Sequence, residues 1–172
     1  MGKFNNKISA EFNPPRKWIL ERALSYQNED LDMRNLEKCG VKVPANKITC
    51  KKDFVTDLAS VPRIAWFLIA PWDVARAAII HDLLYKSIRQ YRHMYESGDA
   101  RERAHYQGKQ PINLTINRVT STYKQAKIEA DQVFLAAMLD AEPSVAKWKI
   151  YAAYYAVVLF GRWSIIPNED NI

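Results

Sequence analysis

Residues 71–96, "PWDVARAAIIHDLLYKSIRQYRHMYE", decide how this chain folds. Val74, Ala75, Ala77, Ala78, Ile79, Ile80, Leu83 and Leu84 make an apolar run with no glycine or proline inside it, far longer than a strand. The segment therefore predicts a buried central helix, for which Asp73 is a natural N-cap. Inside the apolar run stand His81 and Asp82, with Tyr85 one turn further on. At about 100° per residue His81 and Tyr85 share a face, and Asp82 projects about 100° round from His81. A buried histidine beside a buried aspartate must find partners, so the segment that sets the fold also marks the first candidate site.

The flanking sequence fills in the architecture. Upstream, Ser60 precedes Val61-Pro62 and can cap a helix through "IAWFLIA" that stops near Pro71. Before it, "VKVPANKITCKKDFVTD" suits two or three short strands, and "KWILERALSY" fits a strand or a short helix. Residues 1–16 are polar and end in "NPPR", which predicts an N-terminal arm. Downstream, residues 96–122 are rich in polar residues, Gly and Pro and form a polar insertion longer than an ordinary connection. Helix resumes in "STYKQAKIEADQVFLAAMLDA", ends before Pro143, and a last helix runs from about Ser144 to Trp163. The expected fold is α+β, mainly α: small N-terminal antiparallel strands followed by a helical core of about four helices. One globular domain covers residues 17–166, and 167–172 is a C-terminal tail.

Composition narrows the function classes. The chain has 172 residues and 48% apolar content, enough for one domain with a real core. A net charge of +6 suits an anionic partner. Cys39 and Cys50 are the only cysteines, too few for a disulfide framework, and whether they pair is left open by the sequence. "IYAAYYAVVLF", residues 150–160, falls short of the roughly 20 residues that a membrane span needs. It reads as a buried or interface helix. The start, "MGKFNNKISAEF", shows no export signal.

Two further clusters carry chemistry. Asp131 lies among Ile128, Ala130, Val133, Phe134, Leu135 and Met138, so a second predicted helix also points an acid towards the core. If the two helices pack antiparallel, Asp131 can accept a hydrogen bond from one ring nitrogen of His81 and leave the other as a general base. Asp82 is then placed to hold a divalent metal ion, calcium or zinc. Ordinary satisfied core contacts explain the same residues without chemistry. The third cluster is "FVTDLASVPR", residues 54–63, where Thr56, Ser60 and Arg63 sit at a strand-to-helix junction and Asp57 offers a second metal ligand. An Asx or Ser/Thr turn capping the next helix accounts for it equally well. A Ser60–His81–Asp131 triad lacks a nucleophile-elbow sequence, and no His-Glu-x-x-His helix, Cys-x-x-Cys pair or phosphate-cradling glycine loop is present.

"FVTDLASVPRIAW", "ARAAIIHDLLY", "EADQVFLAAML" and "YYAVVLFGRW" occur in that order between about Trp18 and Trp163. Together they resemble the successive blocks of a family of small proteins of unknown function from tailed-phage and prophage genomes. The chain departs from that pattern at Asp53, where the family usually has glycine, and in a longer stretch from Ile88 to Thr122. The resemblance implies a phage-encoded protein, located in the virion or in the host cytoplasm during assembly.

The site alone is also similar to that of secreted calcium-dependent phospholipases. That likeness implies His81 as the base, Asp82 as a calcium ligand, Asp131 as the orienter of His81, and Tyr85 as a hydrogen-bond partner of Asp131. The glycine-rich calcium loop of those enzymes has no counterpart, since no glycine lies between Gly40 and Gly98. The first expectation is a metal-assisted hydrolase acting on a cell-envelope substrate. The alternative is a non-enzymatic virion component of tail, baseplate or capsid that meets other virion proteins or itself through the aromatic last helix. Nucleic-acid binding ranks last. It rests on nine Lys or Arg between Lys86 and Lys127 against Glu96, Asp99 and Glu102, a pattern that a solvated basic face also produces.

Overall fold

Among the described residues, six short strands precede three long helices. The structure, a computed structural model, describes residues 1–14, 17–56, 71–96, 116–141 and 144–168, except for the side chains of 71–73 and 116. Strands β1 (Lys3–Phe4), β4 (Leu24–Gln27) and β5 (Lys47–Cys50) form one sheet in the order β1-β4-β5. Strands β2 (Ala10–Asn13), β3 (Lys17–Leu20) and β6 (Val55–Thr56) form a second in the order β2-β3-β6, and every pairing is antiparallel. A short helix α1 (Arg34–Lys38) and a 3-10 turn (Pro44–Asn46) connect β4 to β5. The long helices are α2 (Pro71–Glu96), α3 (Ile116–Leu139) and α4 (Lys147–Ser164). The α+β, mainly helical class expected from the sequence is the one observed.

Local sequence explains most of these elements. Along β5 the side chains alternate, with Ile48 and Cys50 buried and Lys47 and Thr49 exposed, as a half-buried strand requires. Asp53 has φ 65° in the turn before β6. Aspartate is among the few residues that tolerate this left-handed region. The Asp53 N–H donates to the Leu20 carbonyl at 2.7 Å and closes the turn against β3.

The structure differs from the sequence reading in four places. Residues 1–16, expected as an arm, contribute β1 and β2, and the segment 17–26 left between strand and helix is two strands, β3 and β4. The β1 pairing is non-local, with Lys3 opposing Gln27 and Phe4 opposing Tyr26, whereas β2 pairs with its sequence neighbour β3, Asn13 opposing Lys17. The polar insertion ends earlier than expected, because α3 already begins at Ile116. Its polar first turns are fixed by burial of Val119 and by the Arg92 guanidinium, 4.4 Å from the Tyr123 ring centre. Helix α2 begins at Pro71, ahead of the expected cap at Asp73, and proline fits a first helical position because its missing N–H would have no partner there. The helix expected over 61–70 lies outside the described residues. Cys39 and Cys50 are both buried and form no disulfide.

Helix α3 holds the parts together. The N-cap position of α1 is Met33, which makes no side-chain cap hydrogen bond. Glu129 of α3 takes over that role: its Oε2 accepts from the backbone N–H groups of Asn35 and Leu36, both at 2.9 Å, and its Oε1 accepts from Asn35 Nδ2 at 2.6 Å. Just beyond the C-terminus of α3, Asp140 accepts from the Gly2 N–H at 2.9 Å and the Tyr26 hydroxyl at 2.7 Å, which fixes β1 and β4. Removing the cap should be felt throughout the N-terminal half. Glu129→Ala leaves two backbone donors and the Asn35 amide without their acceptor, and should lower stability by about 2 kcal/mol, read from the midpoint and slope of a urea unfolding curve. A midpoint unchanged from wild type would remove Glu129 from this role.

Candidate functional site

Helices α2 and α3 pack against each other, and Ala77 and Ala78 of α2 and Ala126 and Ala130 of α3 are buried. Into this contact α2 turns His81 and Tyr85 from one face, and α3 turns Asp131. Asp131 Oδ1 lies 3.2 Å from His81 Nε2 and accepts the Tyr85 hydroxyl at 2.8 Å. Its other oxygen, Oδ2, accepts from Lys127 Nζ at 2.6 Å, one turn back on the same helix. Lys127 Nζ also reaches the Val158 carbonyl of α4 at 3.5 Å. The imidazole is held between two rings, with centres 4.0 Å from Tyr85 and 4.8 Å from Phe134.

Helix α4 makes room for this arrangement at Gly161. A Cβ there would overlap the Tyr85 hydroxyl and stand 3.2 Å from its Cζ. The glycine thus lets the α4 backbone pass directly over the phenol.

Charge states follow from burial and partners. Burial pushes the His81 pKa below its ordinary 6.5, against the opposing pull of Asp131, so the ring is neutral. Burial alone would raise Asp131, but the hydrogen bonds from His81 and Lys127, with the Lys127 charge, outweigh it and hold the carboxyl below its ordinary 3.8. With the ring neutral, the ammonium of Lys127 supplies the lasting positive charge. Burial, and then the Asp131 charge, push Tyr85 well above 10, so its hydroxyl stays a donor. An ionised carboxylate only accepts, so Nε2 of the neutral His81 must carry the proton. Nδ1 then presents a bare lone pair. It is buried and has no hydrogen-bond partner among the described residues.

Beside this cluster, Asp82 Oδ2 accepts a hydrogen bond from the Thr56 hydroxyl at the end of β6, with both side chains buried. Of the residues singled out in the sequence, His81, Tyr85 and Asp131 therefore meet in one cluster, and Thr56 and Asp82 in a neighbouring pair. Asp57, Ser60 and Arg63 lie outside the described residues. Sequence reasoning missed Lys127 and Gly161. The first was signalled by its i, i+4 spacing to Asp131, and the second had no local signal. Among the described residues no group of three His, Cys, Asp or Glu side chains comes together to hold a metal. The cluster is closed as well as connected: His81 and Tyr85 are each 0% exposed.

A family model described as "Protein of unknown function (DUF1353)" matches residues 33–157, which include α1, α2, α3 and most of α4. No curated protein and no solved structure matches the chain.

The depressed His81 pKa makes stability depend on pH. As pH falls below about 6.5 the unfolded chain takes up a proton that the folded chain refuses, so stability falls by up to about 1.4 kcal/mol per pH unit. Asp131 acts in a lower window. Its contribution is full above 3.8 and is lost as pH drops through the depressed folded value. Urea unfolding followed from pH 7 to pH 4.5 should show this decline in wild type and a flatter curve in His81→Gln. Equal slopes in the two proteins would mean that His81 is not held neutral.

Proposed function

The chain belongs to the DUF1353 family, and from that premise we propose that it is a phage-encoded hydrolase acting on an ester of the cell envelope, with His81 as general base. The order of its sequence blocks supports the phage origin, and the likeness to lipid-hydrolysing sites supports the substrate class. One observation carries the chemistry. Asp131 fixes Nε2 of a neutral imidazole, while Nδ1, buried and without a partner among the described residues, keeps its lone pair. A purely structural core histidine is ordinarily satisfied at both nitrogens.

The step follows from that geometry. Once an opening of the closed core admits water and the ester, Nδ1 takes a proton from water as its oxygen adds to the ester carbonyl carbon, and the carbonyl π pair moves onto oxygen. Collapse of the tetrahedral intermediate breaks the C–O bond to the alcohol, and the proton passes from Nδ1 to the departing alkoxide. Asp131 holds the tautomer and steadies the transient imidazolium. Tyr85 and Lys127 hold Asp131, so they are positioning residues.

A second reading, a non-enzymatic virion component in which the cluster braces the core, is favoured by the complete burial of His81. The two readings part on turnover. Incubated with short-chain acyl esters and envelope phospholipids, with and without calcium, the wild type should release acid. The His81→Gln and Asp131→Asn variants should lose about 10²- to 10⁴-fold in kcat, and Tyr85→Phe about tenfold, with folding checked by circular dichroism. The base limb of kcat/KM should lie below pH 6.5, in keeping with the depressed His81 pKa. No turnover in any condition, or a His81→Gln variant as fast as wild type, would sink the enzymatic reading and leave the brace.

A further inference from the structure

Helix α4 buries Ile150, Ala153, Val157 and Gly161 against the rest of the molecule. Its opposite side should be polar if it only met water. Instead Trp148, Tyr155, Leu159 and Trp163 are exposed by 60%, 58%, 62% and 53%, and Tyr151 and Phe160 are exposed too. Positions 148, 151, 155, 159 and 163 fall within a band about 120° wide and about 22 Å long. This face is continuous and apolar, and it lies away from the His81 cluster's own packing.

Charge identifies what would cover it. Lys147 and Lys149 stand at one end of α4 and Arg162 at the other, and no Asp or Glu occurs between residues 147 and 164. Lys149 Nζ lies 5.9 Å from the Trp148 ring centre, and Arg162 Cζ lies 4.1 Å from that of Trp163, so each end pairs a cation with an indole. A second copy is a poor occupant. A two-fold contact with antiparallel helices sets Lys147 and Lys149 against Arg162, and one with parallel helices sets each cation against itself. Tryptophan and tyrosine combine an apolar body with a polar edge, which suits a boundary between acyl chains and headgroups. No helix among the described residues is long and apolar enough to cross a membrane, so α4 would lie along the surface.

We propose that the outer face of α4 docks this protein onto an anionic lipid surface, its aromatic band entering the acyl boundary and Lys147, Lys149 and Arg162 meeting the phosphates. The inference goes beyond the hydrolase reading and does not rest on it, because it needs no chemistry at His81.

Vesicle sedimentation of the intact chain tests it. Phosphatidylglycerol vesicles should pellet the wild type, and phosphatidylcholine vesicles should do so at least about tenfold more weakly. The Tyr155→Ser/Leu159→Ser double variant should partition about tenfold less onto phosphatidylglycerol. The Lys147→Gln/Lys149→Gln/Arg162→Gln variant should lose the preference for phosphatidylglycerol. If circular dichroism shows the serine variant unfolded, the wild type and the charge variant decide. Failure to pellet with either vesicle, or pelleting that neither variant alters, overturns the proposal. So does a dimer, seen by light scattering, that the serine double variant dissociates while vesicles leave the wild type in solution.

Discussion

The buried carboxylate of Asp131 is the constraint on which the helical half depends. Ionised and almost without solvent, it can only accept, and it has three donors: His81, Tyr85 and Lys127. The donors come from two helices, and the third helix makes room for one of them. His81 and Tyr85 stand one turn apart on α2, and Gly161 of α4 lets the Tyr85 hydroxyl reach its acceptor. Sliding α2 by one turn would carry both donors away and leave a buried charge short of partners. Breaking a buried pair in that way costs about 3–5 kcal/mol. The register of the bundle is therefore set by hydrogen-bond satisfaction as much as by apolar packing.

Helix α3 extends the same logic around its circumference. Glu129 and Asp131 are two positions apart, so they point to nearly opposite sides, about 200° round the helix. Asp131 reaches α2, and Glu129 caps α1 at the edge of the β-rich half. Asp140 then fixes β1 and β4 through Gly2 and Tyr26. Two buried acids, Glu129 and Asp131, and the half-buried Asp140 thus join elements far apart in sequence. Each is satisfied by several donors, which is what makes its burial tolerable.

The proposed chemistry and the proposed docking face draw on different parts of the molecule. The base at His81 is enclosed between α2 and α3, and the aromatic band lies on the outer side of α4. Lys127 ties the cluster to α4, pairing with Asp131 and reaching the Val158 carbonyl. Folding and function also make opposite demands on the centre. Low dielectric keeps His81 neutral and its Nδ1 unprotonated, and the same enclosure withholds it from water.

Much of the site was legible because its spacing is local. A helix of 3.6 residues per turn places His81 and Tyr85 on one face whatever surrounds them, and the apolar context of Asp131 already implied a buried partner. Lys127 was legible by the same rule, but a lysine four residues from an acid is most often a solvated pair. What the sequence by itself determined was the helical and strand character of the main segments and the meeting of His81 with Asp131 as an expectation. Only the tertiary structure decided that β1 and β2 join sheets, that Glu129 caps α1, that Gly161 accommodates Tyr85, and that His81 is sealed from solvent. Apart from the pairing of β2 with its neighbour β3, those outcomes depend on contacts between residues tens of positions apart, whose partners no local period or propensity names.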